Sequence, residues 1–149
     1  MEGQTGSVSG APVVFLDANV LFSACLGGPS FALLIRLGAE GHVTLVTSTD
    51  CEREARANLE RKHPEAVAAL DGLLDRVSAL DHDLSPHREW AAALVHPGDV
   101  HVLAAARAAG AAALVTGDST HFGRLMERED LDLRVHTVRA FLEAGPAGL

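Results

Sequence analysis

Short apolar runs alternate with amphipathic stretches along this chain of 149 residues. The apolar runs have the length and composition of strands that are buried on both faces of a parallel sheet. They cover residues 13–16, 43–46, 76–80, 112–115 and 134–138. Apolar residues recur at helical spacing between these runs. This spacing predicts helices over residues 29–41, 49–59, 64–74, 85–94, 99–109 and 121–128, and a last helix that ends at residue 144.

The alternation of strands and helices predicts an α/β fold, a three-layer α/β/α domain with a central parallel sheet. The chain length suits one domain with a single core. The first ten residues, MEGQTGSVSG, are mostly small and polar. We therefore predict a disordered N-terminal tail over residues 1–10 and a single folded domain over residues 11–149. In sheets of this class, ligands bind at the carboxyl ends of the strands, near the point where the strand order reverses.

The composition is that of a folded protein, with 48% hydrophobic and 21% charged residues. No apolar run approaches the roughly 20 residues that span a bilayer. The N-terminus lacks the basic and apolar parts of a signal peptide. The two cysteines, Cys25 and Cys51, match neither a zinc motif nor a disulfide framework. These features predict a cytoplasmic protein with reduced thiols and no membrane partner.

Four acidic residues lie at the ends or on the inner faces of predicted elements: Asp17, Glu54, Asp99 and Asp118. The carboxyl edge of a parallel sheet would bring Asp17 and Asp118 together, because both come where predicted strands end. Carboxylates that converge cost desolvation and mutual repulsion unless they share a cation. Because oxygen ligands favour Mg²⁺ or Mn²⁺, the four acids predict a divalent-metal site.

The net charge of −8 argues against a nucleic-acid partner. The four acids account for half of that charge, and bound divalent ions would neutralise them. Basic residues also lie close together beside Glu54, at Arg53, Arg56, Arg61 and Lys62. The charge balance therefore weakens a nucleic-acid hypothesis without excluding it.

Each of the four acids also has a local explanation. Asp17 and Asp99 suit helix starts, Asp118 suits hydrogen bonding within its Thr-Gly-Asp-Ser turn, and Glu54 suits the surface of a charged helix. Glu54 borders a weakly apolar face, whereas Glu52 lies on the more solvated side, so Glu54 is the preferred glutamate. That face consists of Cys51, Ala55, Asn58 and Leu59. Only the joint placement of the acids predicts a site.

Three polar residues near the acids are candidates for supporting roles. Asn19 follows Asp17 by two positions, where it would orient a metal-bound water or satisfy a turn. Thr116 and Ser119 flank Asp118, and their hydroxyls would either support the metal ligands or bond within the turn. The sequence leaves both alternatives open for each of the three.

Basic residues give two further candidate groups. Arg53 and Arg56 would contact a phosphate backbone or lie on a solvated helix face. His96, His101 and His121 lie near the predicted acidic positions, but their spacing matches no zinc motif. We interpret these three as surface or helix-end histidines.

Several stretches of the chain together resemble the PIN-domain nucleases. They are VVFLDANVLFSA, LVTSTDCEREARANLE and PGDVHVLAAARAAGAAALVTGDSTHF, with HTVRAFLEA near the C-terminus. They follow the order and spacing of that family over most of residues 13–122. The resemblance assigns the family's metal-binding and catalytic acids to Asp17, Glu54, Asp99 and Asp118.

The resemblance implies a PIN-like nuclease domain over residues 11–149 that hydrolyses RNA with Mg²⁺ or Mn²⁺. Small stand-alone members are often toxins of the VapC type that pair with a small antitoxin protein, and many are homodimers. The apolar helix over residues 31–37 would serve such a dimer or pack in the core. One departure is that Ser119 and Thr120 stand where many members carry a further acid, which leaves ligation of a second metal open.

Two other hypotheses compete with the nuclease. A non-catalytic module of the same fold would bind only RNA or a protein. A haloacid-dehalogenase-like phosphatase would use Asp17 as its nucleophile, but such an enzyme needs an acid two residues later and a lysine. Asn19 stands at that position, and the chain's only lysine is Lys62.

Overall fold

Five parallel strands form one sheet at the centre of the computed structural model, which describes residues 10–146. The predicted tail lies outside the described residues except for Gly10, as do residues 147–149 at the end of the predicted domain. The strands are β1 (Val13–Leu16), β2 (Thr44–Ser48), β3 (Ser78–Leu80), β4 (Ala113–Val115) and β5 (Arg134–His136). Their order across the sheet is β3-β2-β1-β4-β5, which confirms the predicted parallel sheet.

Helices cover this sheet and connect its strands. They are α1 (Ala18–Leu26), α2 (Pro29–Ala39), α3 (Thr49–Lys62), α4 (Val67–Leu73), α5 (Ser85–Ala92), α6 (Val100–Ala108), α7 (Ser119–Phe122) and α8 (Val138–Ala144). Helices α1, α3 and α4 pack together, α5 packs on α6, and α2 packs against α8. The predicted α/β/α architecture is therefore confirmed. Among the described residues no single helix is long and apolar enough to cross a membrane, and α1 and α2 reach that length only as a pair bent by 110°.

The two middle strands carry the centre of the core. Val14, Phe15 and Leu16 of β1 and Leu114 and Val115 of β4 are each at most 1% exposed, because helices cover both faces of the sheet. Leu16 lies beside Val115 in the register of the two strands. The residues that follow these two therefore leave the sheet side by side.

The sequence pattern does not predict helix α1, which follows β1 directly. Its residues, ANVLFSACL, are nearly all apolar or small, so no polar face marks a helical period. The Asp17 side chain caps its N-terminus by accepting a hydrogen bond from the Ala18 N–H, and Gly27, at a φ of 93°, ends it. The two caps and burial, rather than an amphipathic pattern, define this helix.

The apolar stripe predicted on the helix after Pro29 mostly joins the core. Leu34 is fully buried, and Phe31, Ile35 and Leu37 are partly buried against the core. Leu33 on the same helix is 44% exposed. Core packing thus accounts for most of this stripe, and the homodimer stays a prediction.

Gly38 in α2 packs directly against Leu45 of β2. A Cβ atom at position 38 would lie 2.8 Å from Leu45 Cδ1 and 3.0 Å from its Cγ, and Leu45 is buried. We expect Gly38→Ala to lower the free energy of unfolding by about 1–3 kcal/mol, because overpacking outweighs the better helix propensity of alanine. Urea denaturation followed by circular dichroism measures this change.

Gly72→Ala in α4 is the matched control for that substitution. A Cβ atom at position 72 would meet nothing within 4 Å. We expect the control to be neutral or stabilising by up to about 1 kcal/mol. If Gly38→Ala were as stable as Gly72→Ala, the contact between α2 and β2 would be looser than the structure shows.

Candidate active site

The candidate site lies where the strand order reverses. The chain moves outward from β1 through β2 to β3, and then returns to the other side of β1 with β4 and β5. In open parallel sheets, a crevice forms at the carboxyl ends of the two strands that flank such a reversal. Here the two strands are β1 and β4, and the Asp17 N–H donates to the Val115 carbonyl oxygen at 3.0 Å. The backbone of Asp17 therefore lies at the floor of this crevice.

Asp17 is only 5% exposed, and hydrogen bonds hold both of its carboxylate oxygens. Its Oδ1 accepts the Ala18 N–H at 2.7 Å. Its Oδ2 accepts the Thr116 hydroxyl at 2.8 Å and the Asn19 side-chain amide at 3.3 Å. These donors fix the orientation of both oxygens. The Asp17 side chain thus caps α1 and also contacts Thr116 and Asn19 in the crevice.

Asn19 and Thr116 join the ends of β1 and β4 into one network. The Thr116 hydroxyl accepts the Asp118 N–H at 3.1 Å while it donates to Asp17. Asn19 Oδ1 accepts the Gly117 N–H at 2.7 Å. A Cβ atom at position 117 would lie 3.2 Å from that oxygen, so glycine allows the close approach. The two side chains predicted as supporting residues therefore position Asp17 and Asp118.

Ser119, the third predicted supporting residue, is exposed at the first position of α7. The N-cap of α7 is Asp118, whose Oδ1 accepts the His121 N–H at 3.0 Å. The local capping role that the sequence allowed for Asp118 is therefore present. The other carboxylate oxygen of Asp118, Oδ2, lies 3.0 Å from Nδ1 of the His121 ring.

Glu54 reaches the site from α3. Ser48, at the end of β2, caps this helix by accepting the Cys51 N–H at 3.1 Å. Cys51, Ala55 and Leu59 form its buried face, as predicted. Glu54 is exposed, whereas Glu52 is half-buried, so the prediction that Glu52 lies on the more solvated side is wrong. Desolvation and the charges of Asp17 and Asp99 nevertheless raise the pKa of Glu54. Glu52 instead pairs with Arg56, whose Nη2 lies 3.3 Å from Glu52 Oε2.

Asp99 approaches from the N-terminus of α6 and meets His121. Asp99 Oδ2 lies 2.9 Å from His121 Nδ1, which is also 3.0 Å from Asp118 Oδ2. The His121 ring stacks on His96, with centroids 5.3 Å apart and planes 9° from parallel. Asp99 Oδ2 is buried, yet within the described residues it accepts no well-formed hydrogen bond. Its contact with His121 is therefore a close polar contact rather than a well-aligned hydrogen bond.

The electrostatics of the site favour a bound cation. Burial, and to a smaller extent the charge of Asp99, raise the pKa of Asp17, although the bond from Thr116 opposes them. Desolvation and the charge of Asp17 raise the pKa of Glu54 as well. The folded state therefore binds protons more tightly at these carboxyls than the unfolded chain, so their ionisation destabilises the fold as the pH rises above about 4. A divalent ion would offset this repulsion, and the residues present fit it.

His101 on α6 completes the surroundings of the buried acids. Its charged form lowers the pKa of both Asp17 and Glu54. Its Nδ1 is buried and, over residues 10–146, accepts or donates no hydrogen bond. The sequence interpretation of His101 and His121 as surface or helix-end residues is thus incomplete, because both lie against the acids. The spacing Asp118-x-x-His121 at a helix start was the available signal.

A protein-family model described as a PIN domain matches residues 13–120. The chain belongs to the PIN domain family. The matched residues include all four acids and both strands that flank the crevice. Membership was predicted from the sequence stretches around these acids and is confirmed. The individual roles of the four acids remain predictions.

Two solved structures share the PIN-like fold of this chain. One is a chain of VapBC2 from Rickettsia felis bound to a DNA fragment from their promoter, with 18% identity, a TM-score of 0.67, and coverage of 84% of this chain and 98% of that chain. The other is a chain of VapBC-1 from nontypeable Haemophilus influenzae, with 19% identity, a TM-score of 0.62, and coverage of 85% and 98%. A comparison with curated protein sequences gives no significant match. At these identities the likeness shows the fold.

Of the two arginines predicted to contact RNA, Arg53 is exposed on α3, and Arg56 is half-buried where α3 meets α4 of this PIN domain. Arg53 pairs with Asp50 at 2.9 Å. Arg56 pairs with Asp71 at 2.9 Å in addition to Glu52. Both guanidinium groups thus have carboxylate partners in the structure. Their contact with RNA stays a prediction.

Cys51 lies directly beneath the acids of the PIN domain, with its Sγ 3.9 Å from Asp17 Oδ1. Burial, reinforced by the charge of Asp17, raises the pKa of the Cys51 thiol to about 12. Burial also raises the pKa of the Cys25 thiol, but Cys25 is only half-buried. Because thiolates are the reactive form, we expect N-ethylmaleimide at pH 8 to modify Cys25 slowly in the folded protein and to leave Cys51 unmodified. Intact-mass spectrometry with time measures this.

The Cys25→Ser variant provides the control for this labelling. It should take up no reagent until denaturant unfolds it, and then one equivalent. Labelling of Cys51 in the folded variant at the rate of a free thiol would show that the floor of the crevice opens readily.

Proposed function

We propose that this PIN-domain protein is a Mg²⁺- or Mn²⁺-dependent endoribonuclease. The observation that carries the proposal is the buried Asp17 carboxylate at the strand reversal, whose charge acts together with those of Asp99 and Glu54 and which shares the Thr116 hydroxyl with the Asp118 N–H. Acids whose charges raise one another's pKa are costly to hold together unless they share a cation. Such a set is typical of sites where metal ions assist phosphodiester hydrolysis.

Each of the four acidic side chains would have a role in metal binding that follows from its position. Asp17 would anchor the ion, because it is the most buried and the most rigidly held of the acids. Asp99 and Asp118 would complete the ligand set from the opposite side, and Glu54 would contribute from α3. When bound, the ion would stabilise charge on the phosphate and make a water acidic enough to attack near neutral pH. No serine or cysteine nucleophile is required.

A groove beside the acids offers a path for RNA. It has a volume of about 360 Å³ and is lined partly by His96, Thr120, His121 and Arg124. Arg124 adds a positive charge to the groove, which suits a phosphate backbone. His121 lines the groove and contacts Asp99 and Asp118, so an RNA strand in the groove would lie beside these two acids.

We further propose that the protein is the toxin of a VapBC-type pair and acts in the cytoplasm. The basis is the PIN family membership together with the fold shared with two VapBC structures. Its partners would be an RNA substrate and a small antitoxin protein, with a homodimer as the expected assembly. Co-purification with the product of an adjacent small gene tests the antitoxin part.

Incubation of the purified, metal-free protein with a mixed RNA pool tests the nuclease. We expect cleavage with Mn²⁺ or Mg²⁺ and none with excess EDTA. The same reactions with double-stranded DNA and with p-nitrophenyl phosphate separate a ribonuclease from a general nuclease and from a phosphatase. Tight RNA binding without cleavage in any metal would instead support a non-catalytic binding module.

A further inference from the structure

The histidine of α7 lies where a metal ligand would be expected. His121 Nδ1 is 2.9 Å from Asp99 Oδ2 and 3.0 Å from Asp118 Oδ2. One ligand atom from each of the three residues lies within 4.8 Å of the others. Adjacent ligands of an octahedral ion with bonds of about 2.1 Å are themselves about 3 Å apart. The three side chains can therefore share one ion after small rotations.

The His121 ring is held in this place from two sides. The backbone N–H of His121 donates to Asp118 Oδ1, so the carboxylate and the ring belong to the same helical turn. The ring stacks on His96, and His96 Nδ1 accepts the Gly98 N–H at 3.1 Å. This bond fixes the orientation of the His96 ring, and with it the surface on which His121 rests.

A second observation points to a ligand at the same place. Within the part of the chain that the structure describes, Asp99 Oδ2 is buried, and the nearby His121 Nδ1 at 2.9 Å makes no well-formed hydrogen bond to it. A His121 ring that carries no proton on Nδ1 would leave this oxygen without a donor, and a cation bound by both atoms would satisfy it. The chain also has Ser119 and Thr120, rather than a further acid, immediately after Asp118. His121 supplies a donor atom that these two residues do not.

We propose that His121 is a nitrogen ligand of a divalent ion bound with Asp99 and Asp118, and that this chain therefore prefers Mn²⁺ to Mg²⁺. Imidazole suits transition metals, whereas Mg²⁺ favours oxygen ligands and retains its water. This inference rests on the proposed function for the role of the two acids. It adds a ligand and a metal preference that the four acids alone do not predict.

The same distances also suit a cationic His121 that merely pairs with the two carboxylates. The two roles predict opposite effects of removing the ring. Removing a ligand weakens metal binding, whereas removing a competing positive charge strengthens it. Metal affinity without RNA therefore separates the two roles.

Two measurements on the metal-free full chain test the proposal. Calorimetric titration gives the affinities for Mn²⁺ and Mg²⁺, and pulsed electron paramagnetic resonance detects a ¹⁴N nucleus bonded to Mn²⁺. We expect a ¹⁴N coupling in the parent and its loss in His121→Ala, with Mn²⁺ affinity reduced at least about tenfold. His121→Asp should bind Mn²⁺ without a ¹⁴N coupling and should gain affinity for Mg²⁺.

His42→Ala is the matched control, because His42 is exposed and lies just before β2. It is therefore at the amino ends of the strands, whereas the candidate site is at their carboxyl ends. The variant should keep the ¹⁴N coupling and both affinities. A ¹⁴N coupling that persists in His121→Ala, an unchanged Mn²⁺ affinity, or tighter binding in that variant would each overturn the proposal. These outcomes are independent of RNA cleavage. A protein that binds Mn²⁺ through His121 but cuts no RNA would contradict only the proposed nuclease.

Discussion

Replacing Asp17 with asparagine is expected to slow RNA cleavage by about 10³-fold. Asparagine keeps the shape of the side chain but removes the negative charge that would anchor the ion. A metal ion contributes several kcal/mol of transition-state stabilisation, and each 1.36 kcal/mol changes a rate tenfold. Single-turnover cleavage of a defined RNA in Mn²⁺, with enzyme in excess, measures the change directly.

The Asp17→Asn variant should fold as well as the parent. An amide can still accept the Ala18 N–H, and the Thr116 hydroxyl is free to rotate toward another acceptor. Because burial raises the pKa of Asp17, its charge opposes folding of the metal-free protein at neutral pH. We therefore expect the melting temperature of the metal-free variant to equal or exceed that of the parent. A loss of cleavage would then report on chemistry rather than on unfolding.

Asp75→Asn is the control for this substitution, since Asp75 is exposed in the turn between α4 and β3, at the amino-terminal edge of the sheet. It should cleave RNA at the parent rate. Cleavage by Asp17→Asn at that same rate would end the assignment of Asp17 as a metal anchor. It would also remove the main support for the nuclease, because the other three acids are more exposed.

The sequence predicts most of the fold because each strand is a short apolar run between helices of clear period. Helix α1 is missed for the opposite reason, since residues such as Val20 and Leu21 are buried and the rest are small or apolar. Asp17, which caps α1, also follows the last residue of β1 directly. The sequence around Asp17 therefore marks the end of a strand more clearly than the start of a helix.

The candidate site is predictable where strand ends define it. Asp17, Thr116 and Asp118 follow adjacent strands, so parallel topology alone brings them together. The contact between Asp99 and His121 is different, because it depends on how closely α6 approaches α7 across the crevice. Sequence spacing carries no information on that distance. The spacing from Asp118 indicates that His121 lies near that acid, but the contact of His121 with Asp99 emerges only from the structure.

The positions of Lys62 and Asn19 also argue against the phosphatase hypothesis. Lys62 lies at the end of α3, with its Nζ 5.9 Å from the centre of the Phe22 ring. Asn19 is occupied with Gly117 and Asp17. The residues available for aspartyl-phosphate chemistry are therefore limited to Asp17 itself.

The choice between the two glutamates of α3 yields the second large effect. We expect Glu54→Gln to slow RNA cleavage by about 10²-fold and Glu52→Gln to leave the rate nearly unchanged. The charges of Asp17 and Asp99 raise the pKa of Glu54, so Glu54 is electrostatically part of the site. The loss of one charged ligand that is more exposed than Asp17 should cost about 3 kcal/mol of transition-state stabilisation.

Glu52 is a close control because it lies two residues away on the same helix, has the same side chain and pairs with Arg56. Its replacement by glutamine should change only the half-buried ion pair with Arg56, a residue that also pairs with Asp71, and this ion pair is worth about 1 kcal/mol. Parallel cleavage rates and Mn²⁺ titrations of the two variants measure the difference. A large loss in Glu52→Gln alone would assign the ligand to Glu52 and require α3 to rotate when metal binds. If neither variant lost activity, the ion would be held by Asp17, Asp99, Asp118 and the His121 ring without any glutamate.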